Sequence, residues 1–201
     1  MKIDFEKWKK IRFQRVDVTK IDDRTLLLNL YITQLLTLLL ALGLIWWQGR
    51  SAIGLLQLPG GFEPWLWGIG LAVAVLVVDG AVSRWVPEDV TDDGGINDKL
   101  FRHKAVWHIA LLSFIVAVCE ELLFRGALQH WMGPYWTSIL FAFIHFRYLK
   151  HWVMTGLVFS ISYGLGWIAV HTGTLWAPIA AHFLIDFVMG TIIRYRKVEP
   201  N

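Results

Sequence analysis

The sequence predicts an all-helical membrane protein. About six transmembrane helices are expected to form a bundle around an intramembrane polar cavity open to the cytoplasm. Three observations carry this reading. Hydrophobic residues make up 56% of the 201 positions and charged residues 17%, against roughly 25% charged in soluble domains. The apolar residues gather in six runs, at 26–48, 64–86, 106–131, 134–149, 152–170 and 174–193. The basic residues lie in the gaps between those runs, a membrane pattern rather than a basic soluble face. A disordered chain, a coiled coil and an ordinary soluble domain are excluded. The pI near 9.1 therefore does not indicate nucleic acid. A single Cys excludes a disulfide framework and a Cys-built zinc site.

Residues 1–24 form a cytoplasmic tail. Phe5, Trp8 and Ile11 stand among its Lys and Arg residues, so it is either an interfacial amphipathic helix on an anionic leaflet or a solvated tail. No small-residue cleavage site follows the first apolar run, so no cleavable signal is expected. The runs at 26–48, 64–86, 106–131, 152–170 and 174–193 reach or approach the length of about 20 residues that a spanning helix needs. The run at 134–149 is shorter, with 13 residues from Pro134 to Phe146 before Arg147. That covers about 20 Å, short of the hydrocarbon thickness of roughly 30 Å, and suggests that water reaches mid-membrane depth from the cytoplasmic side. Segment 87–99, acidic and rich in Gly and Asp, reads as a surface loop. The membrane domain is 25–201, with no internal repeat and no second domain.

Charge gives the orientation. Eight of the 19 basic residues precede residue 25, and nine more lie at or just beyond the ends of the second, fourth and sixth runs. Arg50 alone lies on the opposite side, and Arg125 lies inside a run. The positive-inside rule then puts both termini in the cytoplasm of a multi-pass cell-membrane protein. Ten of the 12 Trp residues fall at run ends, where amphipathic rings favour the headgroup level.

Ionisable residues inside spans mark function. The third run holds Glu120, Glu121 and Arg125, the fourth His145, the sixth His182 and Asp186, and the second Asp79. The third and fourth runs join through Met132, Gly133 and Pro134, a hairpin turn. Glu120 and His145 then lie about 16–18 Å from that turn on antiparallel helices. The next hairpin turns at 171–174, and His182 lies about 13–14 Å from it. Three polar sites on three helices therefore fall in one layer. Glu121 with Arg125, and His182 with Asp186, are i,i+4 pairs on a helix face. Glu120 points about 100° from Glu121. Glu121 is thus expected to be neutralised by Arg125, while Glu120 faces the cavity with the histidines. Asp79, five residues before Arg84, reads as snorkelling or paired. His103, His108, His130, His151 and His171 read as ordinary hydrogen-bonded histidines at span ends or in loops.

A carboxylate and two histidines around a wet cavity suit hydrolysis. Glu120 is a candidate general base for water, His145 can bind or orient that water, and His182 can donate to an oxyanion. Neither Ser113, Ser138 nor Cys119 has an evident partner as a nucleophile. No cofactor is expected. The alternative is Zn²⁺ held by the Glu and the two His, but HExxH spacing is absent and the ligands would come from three helices.

Residues 120–125, EELLFR, resemble the EExxxR motif of the CPBP family of intramembrane endopeptidases, the CAAX-processing and bacteriocin-processing (Abi) proteins. Phe141 to His145 resembles the family's FxxxH motif, and His182 to Asp186 its HxxxN/D motif in the Asp form. The resemblance spans roughly 105–190. It implies a helical membrane bundle and peptide-bond hydrolysis without a covalent intermediate. By resemblance, Glu120 with His145 activates water, His182 with Asp186 forms the oxyanion hole, and Glu121 and Arg125 support the site. Many members carry Asn at the position of Asp186. An ionised Asp cannot donate to an oxyanion, so Asp186 either donates when protonated or orients His182. Eukaryotic members trim prenylated proteins; bacterial members are linked to bacteriocin maturation and self-immunity. The implied partners are the lipid bilayer and a membrane-anchored peptide or protein, not nucleic acid. The competing readings are a non-catalytic membrane scaffold or bacteriocin-immunity protein on the same fold, and a proton-coupled transporter.

Overall fold

A computed structural model describes residues 21–85, 95–145, 149 and 151–196. The expected amphipathic tail, Arg147 and most of the loop at 87–99 lie outside these residues. Helix α1 spans Asp23–Trp47, and the Asp22 side chain caps it by accepting from the Arg24 N–H at 3.2 Å. The short helix α2 (Ala52–Leu55) leads to α3 (Glu63–Trp85). Where the loop is expected to continue to residue 99, a short helix α4 (Ile96–Phe101) begins behind Gly95. Helix α5 (Val106–Glu121) runs without a break into a π-helical segment, π1 (Leu122–Leu128), and then α6 (Gln129–Ile144). Helices α7 (Trp152–Thr172) and α8 (Trp176–Tyr195) complete the described chain, in which no strand occurs.

Among the described residues the six apolar runs become five segments long and apolar enough to cross a membrane, because the third and fourth form one helical stretch, Val106–Ile144. That stretch is folded back on itself at Gly133, whose φ of 70° and ψ of 171° are not helical. A side chain there would be strained, so Gly permits the reversal, and Pro134 starts the return arm. The rings of Phe124 and Phe141, 17 positions apart, lie 4.7 Å apart; in a continuous helix they would be about 25 Å apart. The expected hairpin is therefore present, and its register sets residue 120 level with residue 145. The return arm ends at His145, about 16 Å from the turn, whereas the 21 residues of α7 cover about 31 Å.

Helix α8 is the centre of the bundle and packs on α3, α4, α5 and α7. Two cores hold it. Ala41, Ile45, Ala117, Leu122, Phe124 and Ile179 join α1, α5 and π1 to α8. Leu165, Ile168, Ala177 and Ala181 join α7 to α8. The outward leucines of α1, such as Leu36 and Leu39, are more than half exposed, as a lipid-facing surface requires. Trp46, Trp85, Trp107 and Trp152 at helix ends are at least 70% exposed, consistent with the interfacial placement read from the sequence.

Small residues let α3 approach α8. A Cβ on Gly68 would lie 2.6 Å from the Ala177 carbonyl oxygen, a backbone atom that cannot swing away. Gly70, on the outer face of the same helix, would meet nothing within 4 Å. Gly68→Val is therefore expected to cost about 1–3 kcal/mol through overpacking, with Gly70→Val close to neutral. Thermal unfolding of both variants in one detergent checks this; equal midpoints would show that α3 and α8 are not in close contact.

Candidate active site

The layer expected from the sequence is built around a fully buried ion pair. Arg125 Nη1 donates to Glu121 Oε1 at 3.0 Å, and both side chains are 0% exposed. Arg125 also binds α7: Nη2 donates to the Ser162 carbonyl and hydroxyl, each at 2.9 Å. Its guanidinium lies 5.2 Å from the Phe141 ring centroid, a cation–π contact. One turn further on, Gln129 Nε2 donates to the Gly166 carbonyl at 2.9 Å. Glu121, Arg125 and Gln129 thus form a polar column along α5, π1 and α6, with Ser162 and Gly166 answering at the same four-residue spacing on α7.

The same Glu121 oxygen meets the last motif. His182 Nδ1 lies 2.8 Å from Glu121 Oε1. The carboxylate, paired with Arg125, can only accept, so the proton sits on Nδ1. His182 Nε2 faces Asp186 Oδ2 at 3.5 Å. This corrects one expectation. His182 belongs with Glu121, not with Glu120, because the 100° step along α5 turns Glu121 towards α8 and Glu120 towards α1. Glu120 is half-buried, and its Oε1 accepts from Gln34 Nε2 of α1 at 3.3 Å.

His145 caps the return arm of the hairpin, level with Glu120. Its Nδ1 lies 2.8 Å from the Phe141 carbonyl. A carbonyl only accepts, so Nδ1 carries the proton and the lone pair of the neutral ring is on Nε2. The His145 ring stacks on Phe141 at 4.4 Å, and His182 meets the same ring edge-on at 6.5 Å. Phe141 is thus the spacer between the two histidines. Among the described residues, no group of three or more His, Cys, Asp or Glu is arranged to hold a metal ion.

Asp79 lies half-buried on the inward stripe of α3; of the two expected roles, snorkelling or pairing, no hydrogen bond or ion pair is formed among the described residues. His108 receives a hydrogen-bonding partner in Tyr31, at 3.1 Å, and His171 packs on Trp67 and Trp167. Gln34, Ser162 and Gln129 do not stand out from the sequence reading. Gln34 and Gln129 have a signal, as amides within apolar runs. Ser162 looks like an ordinary helix residue until α7 is seen beside π1.

A family model described as type II CAAX prenyl endopeptidase Rce1-like matches residues 102–188, a stretch that contains all three motifs. The chain is 42% identical over 135 residues to the uncharacterized protein YpbD of Bacillus subtilis (strain 168), covering 67% of this chain and 71% of that protein. No solved structure matches the chain. Fold and site define a multi-pass membrane protein of a protease class. The chain belongs to the Rce1-like type II CAAX prenyl endopeptidase family, within the CPBP proteins.

The buried pair generates a direct expectation. Arg125→Ala leaves Glu121 as a buried charge without its cation, a loss of about 3–5 kcal/mol. Folded yield and thermal stability in detergent should both drop, along with any activity. A normal yield and midpoint would mean that the pair is not buried.

Proposed function

We propose that this protein is a glutamic-type intramembrane endopeptidase that hydrolyses peptide bonds of membrane-anchored peptides or proteins with an activated water. The observation that carries the reading is the meeting of the first and last motifs at Glu121 and His182, in a layer whose hairpin register sets Glu120 level with His145. Glu120 takes a proton from water as the oxygen attacks the scissile carbonyl carbon. Gln34 holds one Glu120 oxygen, and His145 Nε2 orients the same water. The tetrahedral oxyanion is met by His182 and Asp186. One proton between Nε2 and Oδ2 makes one of the two a donor. Glu120 then returns its proton to the leaving amide nitrogen as the C–N bond breaks.

Glu121 and Arg125 act as support: the pair anchors His182 through Nδ1, the role that second-sphere carboxylates play elsewhere. With the ring already held from that side, Asp186 is assigned to the oxyanion rather than to orienting His182. No metal is required in this scheme. The matching family model is described as a CAAX prenyl endopeptidase, so a lipid-anchored chain terminus is the first substrate class to test. The site is assigned to a cell-membrane protein with both termini in the cytoplasm, as the distribution of basic residues supports.

Two experiments test this. Reconstituted wild type is expected to cleave a membrane-anchored peptide in the presence of a strong chelator, and Glu120→Gln is expected to be inactive, since an amide cannot take the proton. Turnover above about 1% in Glu120→Gln would remove Glu120 as the base. For Asp186, the Asn variant should keep its activity, whereas Asp186→Ala should lose about 10²–10³-fold. An Asn variant as slow as the Ala variant would assign Asp186 to holding His182 instead.

A further inference from the structure

A cavity of about 840 Å³ opens on the face of the bundle away from the described ends of the chain. Leu58 and Glu63 lie at its rim, and Arg125 and Gln129 line its inner end. These last two are buried, so the polar column of the site forms the floor of the cavity. Each residue of that column carries one buried atom with no hydrogen-bond partner among the described residues: Glu121 Oε2, Arg125 Nε and Gln129 Oε1. In order they are an acceptor, a donor and an acceptor. By the hairpin register, Thr137 stands near the level of Gln129, and its hydroxyl is also unpartnered among the described residues.

Glu121 Oε1 and Arg125 Nη1 already touch at 3.0 Å, so the atoms left for water at the inner end of the column are Glu121 Oε2 and Arg125 Nε. A buried water needs two to four polar partners, and alternating acceptors and donors supply them. An organic ligand is favoured less, because the column is one side chain wide.

We propose that Glu121, Arg125 and Gln129 bind a file of water that connects this cavity to the carboxylate layer, and that the water consumed in hydrolysis arrives by this route, from the face opposite the chain ends. The supply role rests on the hydrolytic function proposed above; the path itself does not. It is a second route beside the short return arm, and it keeps the water supply apart from a substrate approaching from the other face.

Cysteine labelling of the full-length protein in membranes tests the path. In a Cys119→Ala background, Gln129→Cys and Ala169→Cys place a thiol at the inner end and on the wall of the cavity, and Leu58→Cys marks its rim. Intact cells and inverted vesicles are treated with a membrane-impermeant methanethiosulfonate. The thiols at positions 129 and 169 are expected to react in the preparation in which the rim thiol at position 58 reacts, and not in the other. Because labelling follows folding, a second outcome can be read on the same protein. Modification of Ala169→Cys should lower kcat for the membrane-anchored peptide by at least about tenfold, with KM unchanged, while modification of Leu58→Cys should not. Failure of both inner thiols to react from the side that labels the rim overturns the path. Reaction at position 169 with full activity overturns the supply role. A wild-type protein that cleaves no membrane peptide overturns the hydrolytic reading, and the supply role with it, while labelling still decides the path.

Discussion

A buried guanidinium must find acceptors for its protons, and Arg125 finds them on two helices. Glu121 one turn earlier neutralises it, and Ser162 on α7 takes two more of its protons. The same Glu121 oxygen receives His182 from α8. Three segments far apart in the chain are therefore tied at one point of low dielectric, where such bonds are strong and their loss is costly. Apolar packing alone would leave the helices free to slide, since lipid solvates leucine as well as another helix does. The buried pair fixes the depth and rotation of the helices that carry it and of His182.

The hairpin supplies the remaining member. Reversal at Gly133 brings Phe141 against Phe124 and under the Arg125 guanidinium, so the aromatic ring is held from both sides. His145 stacks on that ring, and its Nδ1 is held by the carbonyl one turn back. The imidazole is thus fixed in tautomer and in plane by its own helix. Glu120 depends instead on α1, outside the stretch that the family model matches, through the buried amide of Gln34. The chemistry is concentrated in the matched segment, but the orientation of the proposed base is set from elsewhere.

Much of this is legible in the sequence because helix geometry is arithmetic. Charges inside apolar runs mark the layer, and counting residues from Met132 to Pro134 yields the correct hairpin register. The i,i+4 spacing identifies the Glu121–Arg125 pair. Rotation about α5 separates the two glutamates correctly but cannot say which neighbour each will face, since that depends on how α1 and α8 pack. Grouping His182 with Glu120 fails for that reason. Ser162 is invisible on the same ground: a serine in a helix gains meaning only from the residue opposite. The π-helical segment has no sequence signature at all, and α4 escapes notice because six residues of helix leave no periodicity to read.

The pairing of Arg125 with a residue on its own helix has a consequence during synthesis. A lone arginine or aspartate at the centre of a segment leaving the translocon opposes insertion by about 2.5–3.5 kcal/mol. When α5 and π1 emerge, the α7 and α8 segments that later satisfy them do not yet exist. Glu121 and Arg125, four residues apart, can already neutralise each other, so this segment partitions into lipid carrying a dipole rather than two bare charges. The helices that complete the site are then added to a span that already holds its own counterion.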